Sequence, residues 1–150
     1  MINEITTRIL SFFTTWVFFL FGALITFRKN FNARHEKMII CMTLSCSMLG
    51  FYIVRRYYDK IPDKYKTLVN ITDVVCHILP FIYIVFFMKK RYVSNTLKMF
   101  LWPLVFGLYY SMVYSPSKVY YITGWSDQDL ITTIYCLYMV ILILYKKNIV

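Results

Sequence analysis

Charged side chains are scarce in this sequence: Asp, Glu, Lys and Arg make up 16% of its 150 residues, and only 7 of them are acids. A soluble domain of this size carries roughly a quarter charged residues, because its surface must be wetted. The deficit is concentrated in five long uncharged runs, which a water-surrounded core does not require. Catalytic signatures are lacking as well. There is no GxSxG, no GxxxxGK(S/T) and no GxGxxG, and Asp73 has no second intramembrane carboxylate to work with. An enzyme is therefore not expected, and no catalytic residue is assigned.

Cysteine is sparse and awkwardly placed for chemistry. Cys41, Cys46, Cys76 and Cys136 all lie within apolar runs. That placement does not suit a disulfide framework, and the CxxC spacing of a metal site is absent, as is HExxH. Buried cysteine ordinarily behaves as a small apolar residue. Neither a metal nor a cofactor is expected.

What the chain has in abundance is apolar surface, at 59% of residues with a mean hydropathy of +0.56. The uncharged runs cover residues 9–27, 38–54, 67–88, 99–113 and 130–144. A hydrocarbon core of about 30 Å takes about 20 helical residues at 1.5 Å each. The expected fold is thus all-α, a polytopic transmembrane helical bundle of about five spans forming one domain over residues 1–150. The first run is followed by FRKNFNARHEK rather than a small-x-small cleavage site, so it is expected to stay as a helix. Ser45, Ser47 and Gly50 in the second run allow close helix approach. Residues 114–129 are expected to form an interfacial loop held by Tyr120, Tyr121 and Trp125, with Ser126 or Asp127 capping the last helix. Phe12, Phe13, Phe18, Phe19 and Phe21 are expected to face lipid rather than a pocket.

The net charge of +10 comes from 17 Lys and Arg gathered where the runs end. That distribution faces anionic lipid head groups, and no basic docking face for nucleic acid accompanies it. With the N-terminus outside, the inner segments hold ten Lys and Arg, among them Arg28, Lys29, Lys89, Lys90 and Arg91, against seven outside. The orientation expected is N-terminus outside and C-terminus cytoplasmic, although the basic connection 55–66 on the outer side opposes it. His35 and Glu36, in the basic connection after the first run, are expected on a solvated surface.

The third run is expected to organise the rest, because it holds the only ionisable pair well inside any run, Asp73 and His77. Four residues apart, they share a helix face. An acid inside a span is costly and by default marks a proton relay, a ligand contact or an interhelix lock. The bland alternative is that the two neutralise one another near the head groups, since Asp73 stands only about 9 Å into its run. Pro80 and Pro103 free a backbone carbonyl within their spans and are candidate hinges.

Residues 26–53, then ILPFIYIVFFMKKRYVS, then FLWPLVFGLYYSMVY, resemble in order the N-terminal membrane region of Bacteroidetes-type AraC-family transcriptional regulators. The matching features are Arg28 to Arg34 after the first span, Pro80 with Tyr83, and Trp102 with Pro103. The resemblance implies a sensor or anchor portion, truncated or free-standing, in a bacterial inner membrane. These 150 residues hold no helix-turn-helix, so DNA binding is not carried over. The expectation is a non-enzymatic sensor, anchor or scaffold that recognises a partner helix or small ligand, self-associating or paired with another membrane protein. The alternative is a small oligomeric channel, holin-like pore or transporter subunit with Asp73 and His77 facing a wet path.

Overall fold

The computed structural model describes residues 10–88 and 101–146, and in these every regular element is helical. Five principal helices coincide with the five apolar runs: α1 (Phe13–Thr26), α2 (Ala33–Arg56), α3 (Asp63–Phe87), α4 (Leu101–Tyr114) and, after a four-residue helix α5 (Pro116–Val119), α6 (Asp127–Lys146). Short 3-10 turns at Arg28–Asn30, Tyr58–Lys60 and Tyr121–Thr123 complete the connections. The basic residues Lys89, Lys90, Arg91, Lys98 and Lys147 lie outside the described residues, as does the polar head with Glu4 and Arg8.

Three of these helices, Ala33–Arg56, Asp63–Phe87 and Asp127–Leu144, are long and apolar enough to cross a membrane. They exceed the apolar runs at their ends because amphipathic and charged residues continue the same helices beyond the hydrocarbon-length part. Helix α1 is apolar but has 14 residues, about 21 Å, short of a full hydrocarbon thickness. The described part of α4 has the same length.

The centre of the fold is α2, not the third run. In the apolar part of α2, 72% of residues are buried, against 22% in α3 and 22% in α6. A helix buried all round sits inside a ring of others. Leu24, Ile40, Cys41, Leu44 and Tyr138 are enclosed at 0–1% exposure, joining α1, α2 and α6 in one cluster that also takes in Ile84 of α3 and Tyr110 of α4. Thr43 and Ser45 turn their hydroxyls back to the carbonyls of Ile39 and Cys41, at 2.8 and 2.7 Å. This satisfies them without a partner helix. By contrast α3 and α4 turn large apolar side chains outward, including Phe86 at 72% and Met112 at 86%. Apolar outside and inside is the pattern of a helix set in lipid, and it points to a membrane location.

Each end of α2 carries an ion pair. Asn32 caps its start, accepting from the His35 amide at 2.9 Å. One turn in, Glu36 is 1% exposed and takes the Arg28 guanidinium at 2.6 Å. Glu36 is therefore interior, not on a solvated surface, because the 3-10 turn after α1 folds Arg28 back over it. At the far end Arg55 reaches Asp73 of α3.

The phenylalanine expectation is corrected in the same way. Phe13 and Phe21 are 3% and 2% exposed, with Phe13 packed on Phe106 and Tyr110 and Phe21 on Tyr83. Phe19, 53% exposed, does face outward. A helix whose residues are apolar on every side hides which of them meet protein; only the neighbours decide.

The enclosure of α2 makes a measurable difference. In lipid the transfer part of a large-to-small change falls away, because the unfolded reference is already in hydrocarbon, and the cavity part remains. Leu44→Ala is expected to lower stability by about 2 kcal/mol and Phe86→Ala by under about 0.5 kcal/mol. Unfolding in mixed micelles titrated with dodecyl sulfate checks the pair; equal effects would contradict the central place of α2.

Candidate functional site: a polar pair at the wall of an apolar cavity

The site is built where α2 ends and α3 has run for three turns. Asp73 is fully buried, and both of its oxygens are used. Arg55 Nη2 donates to Oδ2 at 2.7 Å, and His77 Nδ1 lies 2.8 Å from Oδ1. A carboxylate can only accept, so Nδ1 carries the hydrogen of that bond. Arg55 remains half-exposed and stacks over Phe51 at 5.3 Å. The cost of a carboxylate in an apolar interior is thus met inside the fold by one cation and one ring N–H. Asp73 and His77 do share a face, as their spacing requires; Arg55 is the partner that sequence reading missed. The signal for it was present in an arginine closing the preceding run, but only the antiparallel hairpin register brings the two level.

His77 is 6% exposed, and its other nitrogen, Nε2, is buried without a hydrogen-bond partner. The ring lies flat against Gly50 of α2. A Cβ built on Gly50 would stand 2.2 Å from Nε2 and 2.5 Å from Cε1, so only glycine admits the imidazole there. Ser45 and Ser47, the other small residues of the second run, are buried at 0% and 2% exposure. His77 belongs to a π-helical turn, Val74–Ile78, inserted in α3 just before the buried Pro80. A π turn accommodates a residue that cannot donate its amide and resets the face on which the next side chains emerge. Helix α3 continues through Pro80 to Phe87. Pro103 is also buried and lines a small second cavity with Gly107 and Tyr138.

Above the pair lies an apolar cavity of about 130 Å³. Its walls come from the start of α1 (Phe12, Phe13), the end of α2 (Ile53), the start of α3 (Tyr65, Leu68), the loop residue Tyr120 and the start of α6 (Leu130, Ile134). Asp73 and His77 form its polar wall. Phe12 and Phe13 therefore line a pocket, contrary to expectation.

The connection 114–129 seals this end. The first amide of α1 has no cap of its own, and the Tyr120 hydroxyl accepts from the Phe13 N–H at 3.1 Å. Burial raises the Tyr120 phenol above its ordinary pKa, so the hydroxyl stays protonated. Tyr110 donates to the Ser11 carbonyl, and Trp125 packs on the Leu49, Ile53 and Leu130 cluster. Tyr121 stays 52% exposed. Ser126 is the cap of α6: its hydroxyl accepts from the Asp129 amide at 3.1 Å while the Asp129 carboxylate takes the Ser126 N–H at 2.9 Å, a reciprocal capping box. Asp127 instead reaches back to the Ser117 amide and the Ser115 hydroxyl, which pins α5 to the head of α6. Ser115 itself adopts a left-handed φ of 48°, and Gly124 one of 70°, the two positions where this connection reverses.

Among the described residues no three His, Cys, Asp or Glu come together as a metal site would require. No hydroxyl or thiol stands within hydrogen-bond reach of His77, whose bonded nitrogen faces Asp73.

Gly50→Ala tests the closest contact. The added methyl displaces an imidazole tethered to Asp73, and overpacking of this kind costs about 1–3 kcal/mol. The expected outcome is a lowered unfolding midpoint in micelles, restored in part by His77→Ala on the same background; a neutral Gly50→Ala would show that the ring is not held on α2. Comparison with known protein families, with curated proteins and with solved structures finds no match to this chain.

Proposed function

We propose that this chain is a multi-pass membrane module, crossing the bilayer about five times, that senses a small apolar ligand in the cavity between its helices and relays occupancy to a partner, without catalysing a reaction. The observation that carries this reading is the cavity itself. Its walls come from the ends of four principal helices and one loop, so a bound molecule touches every part of that face of the bundle. Apolar cavities near 150 Å³ take up a benzene-sized group, and this one adds a buried polar wall that fixes orientation. The ends of α2 suit the five-crossing arrangement. The 19 positions from Glu36 to Arg55 extend about 28 Å, so the two ion pairs would sit at the two rims of a hydrocarbon core of about 30 Å. Asp73 would then be level with one rim rather than at mid-membrane.

The resemblance to the membrane region of AraC-type regulators suits a sensor whose C-terminus is cytoplasmic, in a bacterial inner membrane with anionic head groups around the basic run ends. A pore has less to recommend it. Both oxygens of Asp73 are already bonded, to Arg55 and His77, which suits a fixed wall group better than a group serving a water path.

Two measurements decide. Iodobenzene, a probe near the size of benzene, is expected to bind the detergent-purified protein saturably above the level of empty micelles and to lose that binding in Leu68→Trp, which fills the cavity. Proton flux in proteoliposomes is expected to be the same for the native chain and Asp73→Asn. Flux that disappears with Asp73→Asn would replace the sensor with a transport protein.

A further inference from the structure

One polar atom in the wall of the larger cavity is left without a partner. His77 is 6% exposed, its Nδ1 is bonded to Asp73 at 2.8 Å, and nothing among the described residues meets its Nε2. A buried polar atom left in this way is costly and rare, and it calls for a group that completes it. Charge decides which kind of group. Asp73 brings one negative charge to this corner and Arg55 one positive charge, so the corner is balanced with the imidazole neutral. A neutral ring whose Nδ1 carries the hydrogen presents a lone pair at Nε2, and the partner of a lone pair is a donor.

Gly50 fixes where that lone pair lies. Nε2 is the ring atom nearest to the point a Cβ on residue 50 would occupy, at 2.2 Å. Gly50 and His77 both line the cavity, so the lone pair stands at the seam between two of its walls. The ring's one hydrogen bond among the described residues is through Nδ1, and a tilt about that bond turns Nε2 toward the space. The rest of the wall is apolar and aromatic, with Phe13, Tyr65 and Tyr120, and the volume is about 130 Å³, room for a benzene-sized group. We infer that the cavity takes a single-ring phenol, its ring among these aromatic side chains and its hydroxyl donating to His77 Nε2. This deepens the sensor reading and rests on it. A ring of the same size without a donor fills the space and leaves Nε2 unpaired. A carboxylate of the same size would bring a second negative charge beside Asp73, whereas a phenol titrates near pH ~10 and enters neutral.

The test uses the full chain in dodecyl maltoside at pH 7, with isotope-labelled histidine for nitrogen resonance. The chain has 2 histidines, so His35→Gln assigns the ring signals of His77. Phenol is expected to move the Nε2 signal upfield, the direction of a lone pair that accepts a hydrogen bond. Fluorobenzene, which matches phenol in size and has no donor, is expected to leave it in place. In competition with iodobenzene, with concentrations corrected for uptake by empty micelles, phenol is expected to bind about tenfold more tightly than fluorobenzene. His77→Phe is expected to abolish that preference, and Leu68→Trp to abolish the shift; should His77→Phe fail to fold, the Nε2 signal of the native chain decides. An Nε2 that carries hydrogen before phenol is added, a signal that phenol does not move, or equal affinity for phenol and fluorobenzene would overturn the phenol assignment, while saturable iodobenzene binding would leave an apolar-ligand sensor standing. Absence of saturable binding by iodobenzene and phenol alike would remove the sensor reading together with this one.

Discussion

Enclosure of α2 is the constraint on which the other elements depend. Within this helix of 24 residues every side chain from Glu36 to Ser47 is buried, so that stretch has to be surrounded, and the remaining helices pack around it. Small side chains let them approach. Ser45 and Thr43 satisfy their own hydroxyls, and Gly50 gives up its side chain altogether so that the His77 ring can lie on the backbone. The two ion pairs at its ends are consequences of the same geometry, since each ties α2 to a neighbour where that neighbour begins or ends its contact.

The polar wall of the cavity follows from that packing. Asp73 would be prohibitively placed on an isolated helix in lipid. Against α2 it meets Arg55, whose long stem lets the guanidinium stay half in solvent while one nitrogen reaches the carboxylate. His77 completes the arrangement only because a π-helical turn intervenes and Gly50 leaves room. A carboxylate, a cation and an imidazole are thereby held together beside apolar space, with both carboxylate oxygens bonded.

The loop 114–129 supplies what the helices alone do not. Its aromatic residues were readable as interfacial anchors, and Tyr121 stays 52% exposed. Tyr120 and Trp125 instead close the cavity end, the first by serving as a distant cap for α1 and the second by covering Leu49 and Ile53. A phenol that caps a helix more than a hundred residues away carries no local sequence signal. The Ser126 to Asp129 box does, because its spacing is local, and it was legible as a choice between two neighbouring caps.

The sequence by itself determined the helical class, the positions of the apolar segments and the shared face of Asp73 and His77, because hydropathy and the 3.6-residue period act over short stretches of chain. Tertiary structure alone decided that α2 rather than α3 is central, that Phe13 and Phe21 are interior, that Glu36 is buried under Arg28, and that Arg55 answers Asp73. In a chain whose segments are apolar all round, periodicity does not tell protein-facing from lipid-facing side chains. The register between antiparallel helices makes that distinction, and it is set by contacts such as Gly50 against His77 that are remote in the chain.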